Sequence, residues 1–317
     1  MHAGPCRICG AQDDLTGYAV REMMFGTRET FDYFQCAACG CLQMAAFPHD
    51  MSGHYPADYY AHHPRERRAR GVRAAFRAMR DRHAITGRGI LGGAFGRVFP
   101  YPGGRVHRWM VRGGATGPDS RILDVGCGSG ELLRDMAAAG YRNVLGADPF
   151  VAADLHLPGG VRVLKRNVRE VEGEFDLVMF HHALEHIPDQ VGTLRAVARI
   201  LAPGGTCLVR IPVVSSYAWE HYGVDWVQLD APRHLFLHSV DSLRRVAADA
   251  GLAVAAVEYD STELQFVGSE LYRRDIPLCE AAGVFSRREI RAFRKRADEL
   301  NRAGRGDSAA FYLRGND

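Results

Sequence analysis

The stretch Arg121-Ile-Leu-Asp-Val-Gly-Cys-Gly-Ser-Gly130 limits what this chain can fold into more than any other. A short apolar run ends in an acid, Asp124, and passes into glycines at 126, 128 and 130; a helix-compatible segment, Glu131–Ala139, follows at once. Strand, glycine turn and helix in that order begin a parallel α/β sheet, with the turn at the carboxyl edge where ligands bind. Glycines at these spacings let the backbone turn tightly and approach a nucleotide-like ligand where a Cβ would collide.

Four downstream segments extend the pattern. Asn143-Val-Leu-Gly-Ala-Asp148 is a second apolar run ending in an acid, about twenty residues on, where a ribose-hydroxyl acceptor belongs. Val161–Asn167 reads as a third strand whose polar end could meet a purine edge through Asn167 or the amide of Val168. Phe175–Phe180 reads as a strand opening into the His-rich loop His181-His-Ala-Leu-Glu-His186, and then a helix. Leu201-Ala-Pro-Gly-Gly-Thr-Cys-Leu-Val-Arg-Ile-Pro212 reads as a helix end, a Gly-Gly turn and a buried strand.

Together these motifs resemble class I S-adenosylmethionine-dependent methyltransferases, from about Asp119 onward. The resemblance implies a Rossmann-like α/β fold: a seven-stranded sheet with an antiparallel last strand inserted between the fifth and sixth. It also implies that Asp124 and the backbone of Gly126, Cys127, Gly128 and Gly130 hold the methionine part of S-adenosylmethionine. Asp148, followed by Pro149, takes the ribose hydroxyls; Asn167 and Val168 lie near adenine, and His181 lines the cofactor site. A dinucleotide dehydrogenase would place its third glycine three positions after the second, whereas here the glycines alternate.

Length and cysteines suit an enzyme with small additions. The 317 residues can bury a full α/β core, and the net charge of +3 selects no partner. The chain shows neither an N-terminal h-region nor an apolar run near eighteen residues, so cytoplasmic residence is expected. Cys6-Arg-Ile-Cys9-Gly10 and Cys36-Ala-Ala-Cys39-Gly40 are two matching knuckles. Each converges two thiolates on one ion, and the pair gives the closed tetrahedral site of structural zinc. Cys41 is a rival ligand to Cys39, which completes the two-residue spacing. The expected domains are a zinc ribbon over 1–46, an aromatic and Arg-rich helical linker or lid over 47–118, and a methyltransferase domain over 119–317. Within the last, 263–307 is expected as a helical cap insertion. Ser286, with Glu289 three residues later, signals its main helix.

Between ribbon and glycine loop, Arg65–Arg112 is rich in arginine, with Glu66 and Asp81 as its acids. Val72, Ala75, Phe76, Met79 and His83 recur at helical spacing, so a solvated helix docked on the domain is one reading. Contact with anionic material or a membrane face, through Ile90–Phe95 and Val98-Phe99, is the other. The zinc knuckles, a Tyr-Pro-x-x-Tyr-Tyr segment with Tyr59 and Tyr60 placed to cover the cofactor, and Gly223–Ser239 narrow the resemblance. Their order is similar to a bacterial methyltransferase family associated with cell-surface polysaccharide biosynthesis.

Methyl transfer needs in-line approach of a nucleophile and, for a hydroxyl, removal of its proton. His182, His186 and His234 are the candidate bases, the last beside Asp230 and Arg233. Leu-Glu-His after this strand also serves as a structural helix start, which leaves His186 a packing role and Glu185 a capping one. The expected activity is O-methylation of a sugar, glycan or related small-molecule intermediate, with an anionic acceptor suited to the arginines. RNA base methylation is the alternative within enzymes, with nucleic acid the less favoured partner because few aromatics interleave the arginines. A non-catalytic S-adenosylmethionine-binding scaffold in a biosynthetic complex is the alternative outside them.

Overall fold

The computed structural model describes residues 4–48, 50–55, 72, 76, 79, 80, 83, 90–99 and 104–315. Tyr59 and Tyr60 lie outside the described residues. The chain divides into two compact units, one of Met1–Pro56, Leu184–Val191 and Arg210–Phe311, the other of Ala57–Ala183, Gly192–Val209 and Tyr312–Asp317. These boundaries cut across the chain-order division at 46 and 118.

The second unit carries the glycine loop. Strand β4 (Arg121–Val125) lies parallel to both β5 (Asn143–Ala147) and β8 (Phe175–His181), and β5 lies parallel to β7 (Val161–Leu164). Four of the five residues of β4 are buried, as are five of the seven in β8. Near-continuous apolar runs are what a sheet covered on both faces requires. Helix α1 (Ile90–Val98) and α2 (Gly104–Arg112) precede the sheet, and α3 (Glu131–Ala139) and α4 (Gln190–Ile200) follow β4 and β8. The expected third strand is shorter than 161–167, because Asn167 turns the chain into a 3-10 helix, Val168–Glu170.

With β6 (Leu155–Leu157), β9 (Leu201–Pro212), β11 (Leu252–Tyr259) and β12 (Ser308–Gly315), the sheet order is β11-β12-β9-β8-β4-β5-β7-β6. Strand β12 therefore lies between β9 and β11, the insertion that the resemblance implies. The sheet has eight strands rather than seven, because the short β6 (Leu155–Leu157) folds back antiparallel onto β7 at the edge. Pro158-Gly159-Gly160 supplies the turn, with both glycines at positive φ.

In the first unit, β1 (Leu15–Arg21), β2 (Thr30–Cys36) and β3 (Leu42–Met44) form an antiparallel sheet that β10 (Phe236–Leu237) completes. Residues 4–46 are thus built into a core with later chain, where Tyr33, Phe34, Leu42, Trp226 and Phe236 are buried together. A three-stranded ribbon has too little apolar surface to stand alone, and the later segment supplies it. Helices α5 (Tyr217–Tyr222) and α6 (Val240–Asp249) flank β10 in sequence.

The insertion between β11 and β12 holds α7 (Leu264–Arg273) and α8 (Arg287–Arg302). Ser286 accepts from the Glu289 amide while Glu289 accepts from the Ser286 amide, closing the capping box that the sequence signals. The amides of Leu278 and Cys279 bond the carbonyls of Met23 and Met24, and Asp275 pairs with Arg21 and Arg28. The insertion is in this way stitched to the β1–β2 connection. No described helix is long and apolar enough to cross a membrane.

Candidate functional site

Asp124 lies one residue before the end of β4 and Asp148 directly follows the neighbouring β5, and both are buried. Asp124 Oδ1 has no hydrogen-bond partner among the described residues. Burial, and then the charge of Asp148, push the Asp124 carboxyl up to about 7. Asp148 engages the backbone with both oxygens, accepting from the Gly128 and Phe150 amides at 2.8 Å each. It therefore clamps the loop that its own sequence spacing picked out.

The loop is held at both ends. Gly126 N–H donates to Ala147 O at 2.8 Å, and Gly130 N–H to Cys127 O at 3.0 Å. Gly130 has φ +74°, and a Cβ there would lie 2.8 Å from Leu157 Cδ1 and 2.9 Å from Val163 Cγ2. It is the N-cap of α3 and gives no side-chain cap, so the first turn of that helix presents its amides to the loop. The Cys127 thiol, raised by burial, packs where a Cβ on Gly146 would stand 2.4 Å from its Sγ. Gly146 is thus a residue the glycine motif needs, and one that sequence reading passed over.

Other predicted cofactor positions divide. Pro149 is exposed in the turn after Asp148, and Phe150 beside it is 82 % exposed, a large apolar face adjoining the loop that sequence reading did not single out. Asn167 Oδ1 accepts from the Arg169 amide, and Val168 is buried, so the pair forms a capped turn with its own structural purpose. The orphaned oxygen of Asp124, the glycine cradle and the exposed aromatic fit a charged, nucleoside-bearing group such as S-adenosylmethionine.

At the end of β8, His181 and His182 are half-buried, with ring centroids 5.5 Å apart and perpendicular. His181 also meets Trp109 of α2 at 5.8 Å. Trp109 is buried, and it too went unremarked in the sequence, where it is one aromatic in an arginine run. His182 has φ +54°, an uncommon conformation for a non-glycine residue that clusters at functional turns.

In the first unit the four predicted cysteines converge. Cys6 and Cys39 Sγ are 3.6 Å apart, as are Cys9 and Cys36 Sγ, and all four fall within 4.8 Å of one another. A tetrahedral ion with Zn–S near 2.3 Å sets sulfurs about 3.8 Å apart, so the set fits. Gln43 Nε2 donates to Cys6 Sγ at 3.1 Å, an outer contact that suits a thiolate. Cys41 is buried outside the set, its Sγ 3.7 Å from Leu42 O.

His186 and His234 of that unit stack edge to face, ring centroids 4.8 Å apart. His186 Nδ1 lies 2.7 Å from Arg233 O, and His234 Nδ1 2.7 Å from Gln228 O. Burial, and then His234, hold His186 below the usual histidine range. Beneath them Arg233, with its side chain fully buried, pairs with Glu22 at 2.8 Å and Asp230 at 2.6 Å. Burial alone would raise Asp230; Arg233 and His234 hold it below the ordinary carboxylate range. His186 and His234 thus meet each other, while His182 belongs to the unit of the glycine loop.

Residues 97–257 match the family described as a methyltransferase domain. A ubiquinone biosynthesis O-methyltransferase of Pseudomonas aeruginosa (strain UCBPP-PA14) is 40 % identical over 112 residues, 32 % of this chain and 47 % of that protein. The protein of the same name from Pseudomonas paraeruginosa is 35 % identical over 169 residues, 47 % of this chain and 71 % of that protein. A match of 47 % means that the chain spans about half the length of the first of these relatives. Among solved structures, a SAM dependent methyltransferase from Archaeoglobus fulgidus is 19 % identical with TM-score 0.42, covering 71 % of this chain and 99 % of that one. The family match takes in the glycine loop, both acids, the β8 histidines and His234, and the chain belongs to the methyltransferase-domain family.

Proposed function

We propose that this protein is an S-adenosylmethionine-dependent O-methyltransferase acting on a hydroxyl of a small molecule. The observation that carries the reading is the buried pair Asp124 and Asp148 around a glycine cradle, inside the segment that matches the family. S-adenosylmethionine, when bound, supplies an electrophilic methyl on a sulfonium. Asp124 would receive its methionine end, the loop amides would line its path, and Asp148 would meet the ribose. The exposed ring of Phe150 would cover the base.

The chain's remaining task is to orient a hydroxyl and take its proton. His182 is our choice of base, since it stands in the turn leaving β8, in the same unit as the loop. Cys6, Cys9, Cys36 and Cys39 would hold a structural zinc, whose closed thiolate shell leaves no position for substrate. The relatives' names concern ubiquinone biosynthesis, whereas the zinc knuckles and the 223–239 segment favour a sugar or glycan intermediate. Both acceptor classes present a hydroxyl.

Calorimetric titration with S-adenosylmethionine and S-adenosylhomocysteine tests the cofactor. Micromolar binding, worth about 8 kcal/mol, is expected; no binding of either sinks the reading. Transfer of labelled methyl to a panel of sugar nucleotides and of polyhydroxylated aromatics then decides the acceptor class.

A further inference from the structure

The first unit holds a second set of converging ligand atoms. One donor atom from each of Glu185, His186 and His234 lies within 4.8 Å of the others, and Glu185 and His234 are buried. Both imidazoles direct Nδ1 to a main-chain carbonyl at 2.7 Å. That bond places the proton on Nδ1 and leaves the Nε2 lone pair for a metal, the arrangement of most histidine ligands.

Distances separate this from an ordinary ion pair. His234 Nε2 stands 4.0 Å from Glu185 Oε1 and 3.7 Å from Asp230 Oδ2, too long for hydrogen bonds. Three donors that share an ion at about 2.1 Å in a tetrahedral shell stand about 3.4 Å apart, so the set, now within 4.8 Å, has to draw in by up to roughly 1.4 Å when an ion binds. Glu22 and Asp230 pair with Arg233, and Glu185 stands beside His234, so carboxylates adjoin the two imidazoles.

The geometry points to a divalent-cation site formed by Glu185 and the Nε2 atoms of His186 and His234, separate from the four cysteines. Two imidazoles and one carboxylate select a first-row ion such as zinc, manganese or iron(II). Three protein ligands leave a position open for an oxygen of water or of a small molecule. The inference needs no methyl donor, so it stands or falls apart from the proposed activity.

Cobalt(II) titration of the full chain, read by absorption and by metal content, tests it. Wild type should take up a cobalt ion whose visible bands carry no thiolate charge transfer, in addition to any thiolate-bound ion. Glu185→Gln and His234→Gln should each weaken that uptake roughly a hundredfold or more while leaving thiolate-bound cobalt unchanged. If all cobalt bound by wild type shows thiolate charge transfer, the site does not exist; this reading stands even if a variant fails to fold. Undiminished uptake in both folded variants overturns it equally.

Discussion

Asp148 accepts the Gly128 amide at 2.8 Å, so the acid at the end of one strand fixes the glycine loop at the end of the next. Its other oxygen holds the Phe150 amide. Removing the carboxylate therefore loosens the loop as well as deleting a ligand. Asp148→Ala should weaken S-adenosylmethionine binding by at least roughly a hundredfold, about 2.7 kcal/mol. Asp148→Asn, which keeps one acceptor oxygen, should retain more affinity than the alanine variant. Equal binding by wild type and Asp148→Ala in calorimetry would remove this role.

Asp124 predicts a trade between stability and binding. Its folded-state value of about 7 lies above the ordinary aspartate value, so the folded chain keeps a proton that the unfolded chain loses. That contribution is complete below about pH 4 and is lost as pH rises through about 7. Asp124→Asn should flatten this dependence and stabilise the ligand-free protein at pH 8 by about 1–3 kcal/mol. It should also bind S-adenosylmethionine more weakly. Denaturant melts at pH 5 and pH 8 with both proteins check the sign.

His182→Gly should leave the fold at least as stable, since glycine accepts φ +54° without the cost a side chain carries there. If His182 is the base, kcat on a hydroxyl acceptor should fall roughly 10²–10⁴-fold at unchanged S-adenosylmethionine affinity. Unaltered kcat would shift the search to another base.

If the four cysteines hold zinc as proposed, chelating it should loosen the β1–β3 sheet, whose strands the two knuckles flank. Cys9→Ala should lower the bound zinc content by one per chain. Cys41→Ala should leave that content unchanged, since its thiol lies outside the set. Zinc analysis of the purified variants distinguishes the two.

Arg233→Met should cost about 3–5 kcal/mol, since Glu22 and Asp230 would remain buried without their cation. For a chain of this size that lowers the melting temperature by roughly 10 °C. A change below about 1 kcal/mol would show that the pair is solvated in solution.

What the sequence determined by itself was whatever depends on near neighbours. The α/β class, the glycine loop between two acids, the capping box of α8 and the four-cysteine set all rest on spacings of a few residues that backbone geometry dictates. The tertiary structure alone decided that Cys41 stands apart from the cluster, that β10 completes the ribbon's sheet, and that His186 meets His234. It also decided that Arg233 neutralises Glu22, 211 positions away in the chain. Such pairings form because burial of one charge demands another nearby, and that demand leaves no periodic trace in sequence. Asn167 shows the converse: its amide looked free for a ligand in the sequence, and a local turn claimed its oxygen first.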